Sequence, residues 1–206
     1  GSLKNGDVIS MSVEKDKRTA TAIHHSSTHL LHAALREVLG DHVQQKGSLV
    51  DESKLRFDFS HSKPLTKNEI SSIEEIVNRE LLNNVKVQTE VMNLDDAINS
   101  GAQALFGEKY EDEVRVLTMG EKSFSVELCG GTHVERTGDI GVFVIVNQSS
   151  VASGIRRIEA IGGKQALEYI NQVREVADSL QNKLNVPANA LLEKVEALIE
   201  ENKKLK

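Results

Sequence analysis

The chain has 206 residues, a formal net charge of −6, 39% hydrophobic residues, 5 phenylalanines, 2 tyrosines and no tryptophan. That length and apolar content suit one ordinary domain plus an extension and exclude a disordered chain. No apolar run is long enough to cross a bilayer as a helix, and the acidic balance argues against a nonspecific polyanion binder while leaving room for local basic patches.

The one cysteine, Cys129, excludes an internal disulfide and points to a cytosolic setting. No secretory signal pattern is present, Gly1-Ser2 reads as a cloning scar, and the first residue is not methionine, so a fragment of a longer protein is expected.

Short apolar alternation over residues 7–13 predicts a strand, the tail of a preceding module occupying residues 1–18. Residues 19–39 predict a helix with Leu30, Leu31, Ala34, Leu35 and Val38 as its apolar stripe and Gly40 as its stop. Residues 43–50 and 55–59 predict paired strands around a turn at Asp51-Glu52-Ser53, with Leu55, Phe57 and Phe59 alternating against Arg56 and Asp58. Residues 65–82 form an amphipathic pattern with Ile70, Ile73, Ile76, Val77 and Leu81 inward, and Thr66 with Glu69 forms a capping box. Further strands are expected at 85–91, 114–119, 123–128, 141–146 and 154–161, with a short helix at 94–100. The fold class is α+β: a mostly antiparallel sheet with helices packed on it across residues 19–163. After Gly162-Gly163 the spacing of Ala166, Ile170, Val173, Ala177, Leu180 and Leu184 is that of a heptad seam. Pro187 breaks it, and Leu191, Val195, Leu198, Asn202 and Leu205 resume it, so residues 164–206 predict a C-terminal helical arm. Such an arm either packs on itself or a missing partner, or serves self-association.

Two short motifs carry the chemistry. His25-Ser26-Ser27-Thr28-His29 places two imidazoles on one helix face, one turn apart. Cys129-Gly130-Gly131-Thr132-His133 encloses two glycines that disfavour helix, so it reads as a loop folding over the ion. Three imidazoles and a thiolate make a natural zinc set: His25, His29, Cys129 and His133. Four protein ligands suit a closed structural site, whereas three leave a position open for chemistry. His32 continues the i, i+4, i+7 series and reads better as a packed histidine behind the site than as a fifth donor. Cys129 as a nucleophile is the weaker alternative, because zinc would occupy its thiolate. No Ser-His-Asp triad is evident.

Longer strings then point to a family. They are residues 25–36 (HSSTHLLHAALR), 45–50 (QKGSLV), 55–61 (LRFDFSH), 104–110 (ALFGEKY), 127–134 (ELCGGTHV) and 154–160 (GIRRIEA). In order, from about residue 7 to 163, the chain resembles the editing domain of bacterial alanyl-tRNA synthetase, of the threonyl/alanyl second-additional-domain type. Its remaining helices are similar to the start of that enzyme's C-terminal oligomerisation region. The threonyl editing domain and free-standing alanyl-tRNA editing proteins share the two-pair plan, but C-G-G-T-H and G-I-R-R-I-E-A favour the alanyl branch.

The resemblance implies zinc-dependent hydrolysis of the ester joining serine or glycine to the acceptor end of the tRNA for alanine, with no membrane involvement. It implies no aminoacylation by this stretch, which lacks the motifs for it. Serine is alanine plus a hydroxyl, which an apolar pocket rejects weakly, so errors must be removed after they form. The resemblance places Thr28 in the amino-acid pocket, where the competing reading is a hydroxyl bonded within its own helix. It places Gln45 near the substrate, against a solvated strand residue. Lys46 is a candidate for tRNA phosphate. Arg156 and Arg157 lie on opposite faces of a strand, so one could meet RNA while the other pairs internally. A non-catalytic module in which zinc staples the loop to the helix is the alternative of a different class.

Overall fold

The computed structural model describes residue 2, residues 4–103 and residues 110–205. The string at 104–109 lies outside the described residues. Two compact units emerge, Gly1–Gly163 and Lys164–Lys206. The first is α+β with antiparallel sheets, and no described helix is long and apolar enough to cross a membrane.

Helix α1 (Lys15–Leu39) is the spine of the first unit. Four of its apolar residues, Leu30, Leu31, Ala34 and Leu35, are fully buried. It starts before the expected residue 19, because Lys15 to Arg18 favour helix without carrying an apolar stripe, and Asp16 complements the positive end of the helix dipole. The boundary expected at residue 18 therefore falls inside α1. Residues 7–13 form no strand: Val8, Ile9, Met11 and Val13 are exposed, and the segment has no strand partner among the described residues. Alternation alone cannot make a strand without a neighbour to complete its hydrogen bonds.

Strands β1 (Gln45–Val50) and β2 (Leu55–Ser60) form an antiparallel hairpin. Its turn is set by the Asp51 carboxylate, which accepts from the Ser53 and Lys54 backbone amides at 2.7 and 3.0 Å. Helix α2 (Lys67–Leu82) opens on the expected capping box, with the Glu69 amide donating to Thr66 Oγ1 at 3.2 Å and the Thr66 amide to the Glu69 carboxylate at 2.6 Å. A second sheet joins β3 (Gln88–Asn93), β4 (Glu113–Met119) and β5 (Ser125–Leu128), with the short helix α3 (Leu94–Asn99) packed on β3 and β4. Strands β6 (Phe143–Ala152) and β7 (Ile155–Gly162) return to the first sheet, giving the order β1-β2-β7-β6.

Phe57, Phe59 and Ile158 point from the first sheet into one core with the α1 leucines and with Ile73 and Val77 of α2. Fully burying each such side chain contributes about 1.5–3 kcal/mol. Helix α1 packs on the first sheet along one side and reaches β5 of the second with another. That position between two sheets delivers the end of β5 to the histidines of α1. The second unit consists of α4, whose span Gly163–Leu184 opens on the last residue of the first, a 3-10 turn at Ala188–Ala190, and α5 (Leu191–Lys204).

Candidate metal centre

The middle of α1 is polar yet buried, and the helix itself makes this tolerable. Ser27 Oγ donates to the Ile23 carbonyl and Thr28 Oγ1 to the His24 carbonyl, both at 2.8 Å. His24 Nδ1 donates to the Asp51 carbonyl at 2.8 Å, tying the helix to the hairpin turn. His25 and His29 share one helix face. Opposite them β5 ends at Leu128, and the following loop carries Cys129 and His133.

That loop is pinned from both sides. Arg115 of β4 accepts the Cys129 amide on its carbonyl at 3.0 Å, and its Nη1 donates to the carbonyls of Cys129 and Gly131 at 3.2 and 2.7 Å. Past His133, the Val134 amide donates to Ser26 Oγ of α1 at 3.2 Å. The His25 ring lies against Gly131, where a Cβ would sit 2.2 Å from its Cε1, so no other residue fits there without displacing the ring.

The four expected ligands converge. Their donor atoms all lie within 4.8 Å of one another. Cys129 Sγ is 3.3 Å from His133 Nε2 and 3.5 Å from His25 Nε2. A tetrahedral zinc with ordinary bonds separates sulfur and nitrogen by about 3.5 Å. His29 Nδ1 contacts Glu127 at 2.6 Å, while its Nε2 is buried and has no hydrogen-bond partner among the described residues. An aimed, orphaned nitrogen beside a thiolate and two further imidazoles fits a zinc-type ion.

The charges favour the same conclusion. Burial pushes the Cys129 thiol up, but hydrogen bonds from His133 and His25 outweigh it and bring it down to about 3. Burial would raise Glu127 as well, yet the His29 charge and the hydrogen bonds from His29 and His32 hold it at about 2. Burial works against a charged His29, but Glu127 reverses that and raises it to about 10. The thiolate is thus ready as a ligand, while a metal must displace a proton from His29.

Glu127 was not singled out by sequence reasoning, although it stands near the end of β5, two residues before Cys129 in the loop that follows. Its second oxygen takes His32 Nδ1 at 2.9 Å, so His32 sits behind the ligands rather than among them. Ser26 was missed too; its hydroxyl contacts His133 Nδ1 at 3.2 Å. A short polar residue between two helix-borne ligands was the only available signal.

The other expected site residues are placed differently. Thr28 is buried, and its one hydroxyl proton is spent inside the helix, leaving it only an accepting role. Gln45 opens β1 opposite Phe59 and is half-buried. Lys46 is exposed and its Nζ contacts Gln44 Oε1 at 3.3 Å. Arg157 forms a two-pronged pair with Asp58, both contacts at 2.7 Å, so its guanidinium is committed internally. Arg156, on the other sheet face, reaches Gln148 at 3.3 Å.

Comparison with known proteins matches this arrangement to a class. Residues 114–159, which include β4 from its second residue, β5 and the Cys129–His133 loop, match the threonyl and alanyl tRNA synthetase second additional domain. The chain is similar to that family over this stretch.

The similar curated proteins are alanine–tRNA ligases. That of Parvibaculum lavamentivorans is 54% identical over 211 residues, covering 100% of this chain and 24% of that protein. Those of Ruthia magnifica and Sinorhizobium medicae are 51% and 50% identical, again across 100% of this chain and 24% of each relative. The chain therefore spans about a quarter of the length of these relatives.

Proposed function

We propose that this chain is the proofreading part of an alanine–tRNA ligase, a cytoplasmic enzyme, and that it hydrolyses the ester of serine or glycine wrongly attached to the tRNA for alanine. The observation that carries this reading is the meeting of His25, His29, Cys129 and His133 in a chain aligned end to end with alanine–tRNA ligases. Zinc held there would supply Lewis acidity and lower the pKa of a bound water toward ~7.

The remaining roles belong to the chain. Glu127 holds His29 in the tautomer that presents Nε2 to the ion. Thr28 offers an accepting oxygen beside His29, suited to a serine hydroxyl or an ammonium and of no use to alanine's methyl. Gln45 supplies an amide for the ester carbonyl or the terminal adenosine. Lys46 and Arg156 are the candidates for phosphate, since Arg157 is held by Asp58. The helical arm is assigned to self-association.

One observation favours a second reading. Four converging donors can close the shell around an ion, and the ion would then only staple the loop to α1. Serine-charged alanine tRNA decides between them. The proofreading reading expects release of serine by the chain and loss of that activity with a chelator while the fold persists. Absence of turnover from folded, metal-loaded protein sinks it, and loss of folding together with the metal supports the staple. Faster release of serine from threonine tRNA than from alanine tRNA would reassign the branch.

A further inference from the structure

The four donors are not held equally. Histidine ligands are fixed when the ring nitrogen facing away from the ion is hydrogen-bonded, which sets both tautomer and orientation. His29 has Glu127 behind it at 2.6 Å. His133 has Ser26 behind it at 3.2 Å, and Ser26 is itself fully buried and engaged by the Val134 amide. Cys129 is fixed through its backbone, which Arg115 and its guanidinium grip on both sides.

His25 has no such support. Its one hydrogen-bond contact among the described residues is Nε2 with Cys129 Sγ at 3.5 Å. Its Nδ1 edge faces the bare Cα of Gly131, where an added Cβ would lie 2.5 Å from Nδ1. The ring is half-buried, whereas His29 is buried, and it leans on the His133 ring at a centroid distance of 4.4 Å. Gly130, next along the loop, is exposed and has open space where a side chain would go.

We propose that His25 is the exchangeable ligand of this centre: His29, Cys129 and His133 form the permanent set, and His25 yields its place to a substrate donor atom or water. The inference rests on the metal-centre reading and settles how four donors serve a reaction that requires an open position. The exchange is a ligand substitution with no redox change. The His25 nitrogen leaves with its lone pair, and an oxygen or nitrogen lone pair takes the same place.

The test measures metal affinity rather than turnover, by competition with a chromophoric chelator, on the 206-residue chain and its H25A, H29A and H133A variants. Circular dichroism confirms each fold. H29A and H133A are expected to weaken binding by about a hundredfold or more, and H25A by no more than about tenfold. Loaded with cobalt(II), H25A should keep a protein-bound visible spectrum, and added free imidazole should return it to the wild-type spectrum. H29A should show no such recovery.

G131A supplies a second route, because its methyl displaces the His25 ring without deleting an imidazole. It should match H25A in affinity. Equal losses in H25A and H29A, or a G131A variant as tight as wild type, overturn the inference and leave the metal centre standing. No metal binding by the wild-type chain overturns both.

Discussion

The metal-centre region and the helical arm use similar amphipathic helices to opposite ends. In α1 Leu30, Leu31, Ala34 and Leu35 of the apolar stripe are fully covered, and polar side chains lie buried behind it with named partners. In α4 and α5 many of the heptad-spaced residues remain in solvent: Val173 is 53% exposed, Leu180 43% and Leu205 83%. Only part of the seam is used within the arm, where Leu180, Leu184, Val195, Leu198 and Ile199 line a shared groove of about 510 Å³. Periodicity therefore reports that a helix has an apolar face, not that the face has a partner.

This contrast predicts a hierarchy of mutational effects. Phe57→Ala, in the core under α1, should cost about 3–5 kcal/mol in chemical denaturation. A loss below about 1 kcal/mol would mean that this core is looser than its burial implies. Glu127→Gln should weaken metal binding by about 10–100-fold in chelator competition, because it slackens His29 without removing it. Unchanged affinity would show that the carboxylate does not orient the ring.

A related expectation concerns acid. Cys129 has its pKa lowered to about 3, so its thiolate persists as pH falls and is lost only near that value. Metal-free protein should therefore be alkylated at Cys129 at pH 5, where an ordinary thiol is almost inert, and added zinc should protect it. Alkylation rising tenfold per pH unit toward neutrality would indicate an ordinary thiol.

Thr66→Ala removes the α2 cap and should cost about 1 kcal/mol. Smallest of all, Val176→Ala in the arm should stay within about 0.5 kcal/mol of wild type. A larger loss at Val176 would reveal that the arm is covered in solution. Size-exclusion chromatography before and after deletion beyond Gly163 would then show whether a second copy covers it.

Much of this was legible in the sequence, for identifiable reasons. The two candidate ligand pairs announce themselves because chelation would require fixed spacings on a helix and a glycine-rich loop. The α2 cap follows from Thr66 and Glu69 alone, and the β1–β2 hairpin from alternation around Asp51. Local pattern failed where the outcome depended on a distant neighbour. Residues 7–13 alternate but have nothing to pair with. Arg156 and Arg157 look equivalent until register sets Arg157 opposite Asp58. Ser26 and Glu127 look like unremarkable polar residues until the fold brings them behind His133 and His29. The start of α1 was missed because helix propensity without an apolar stripe leaves no periodic trace.

The Arg115 grip on the Cys129 loop also bears on how the molecule comes together. Cys129 and His25 are 104 positions apart in the chain, and the loop that carries Cys129 follows β5, which pairs with β4. Contacts of such sequence separation form late, after most loop-closure entropy has been lost. Tight metal uptake would thus mark the end of folding of the first unit, and a cobalt spectrum followed during refolding would time its final assembly rather than its collapse.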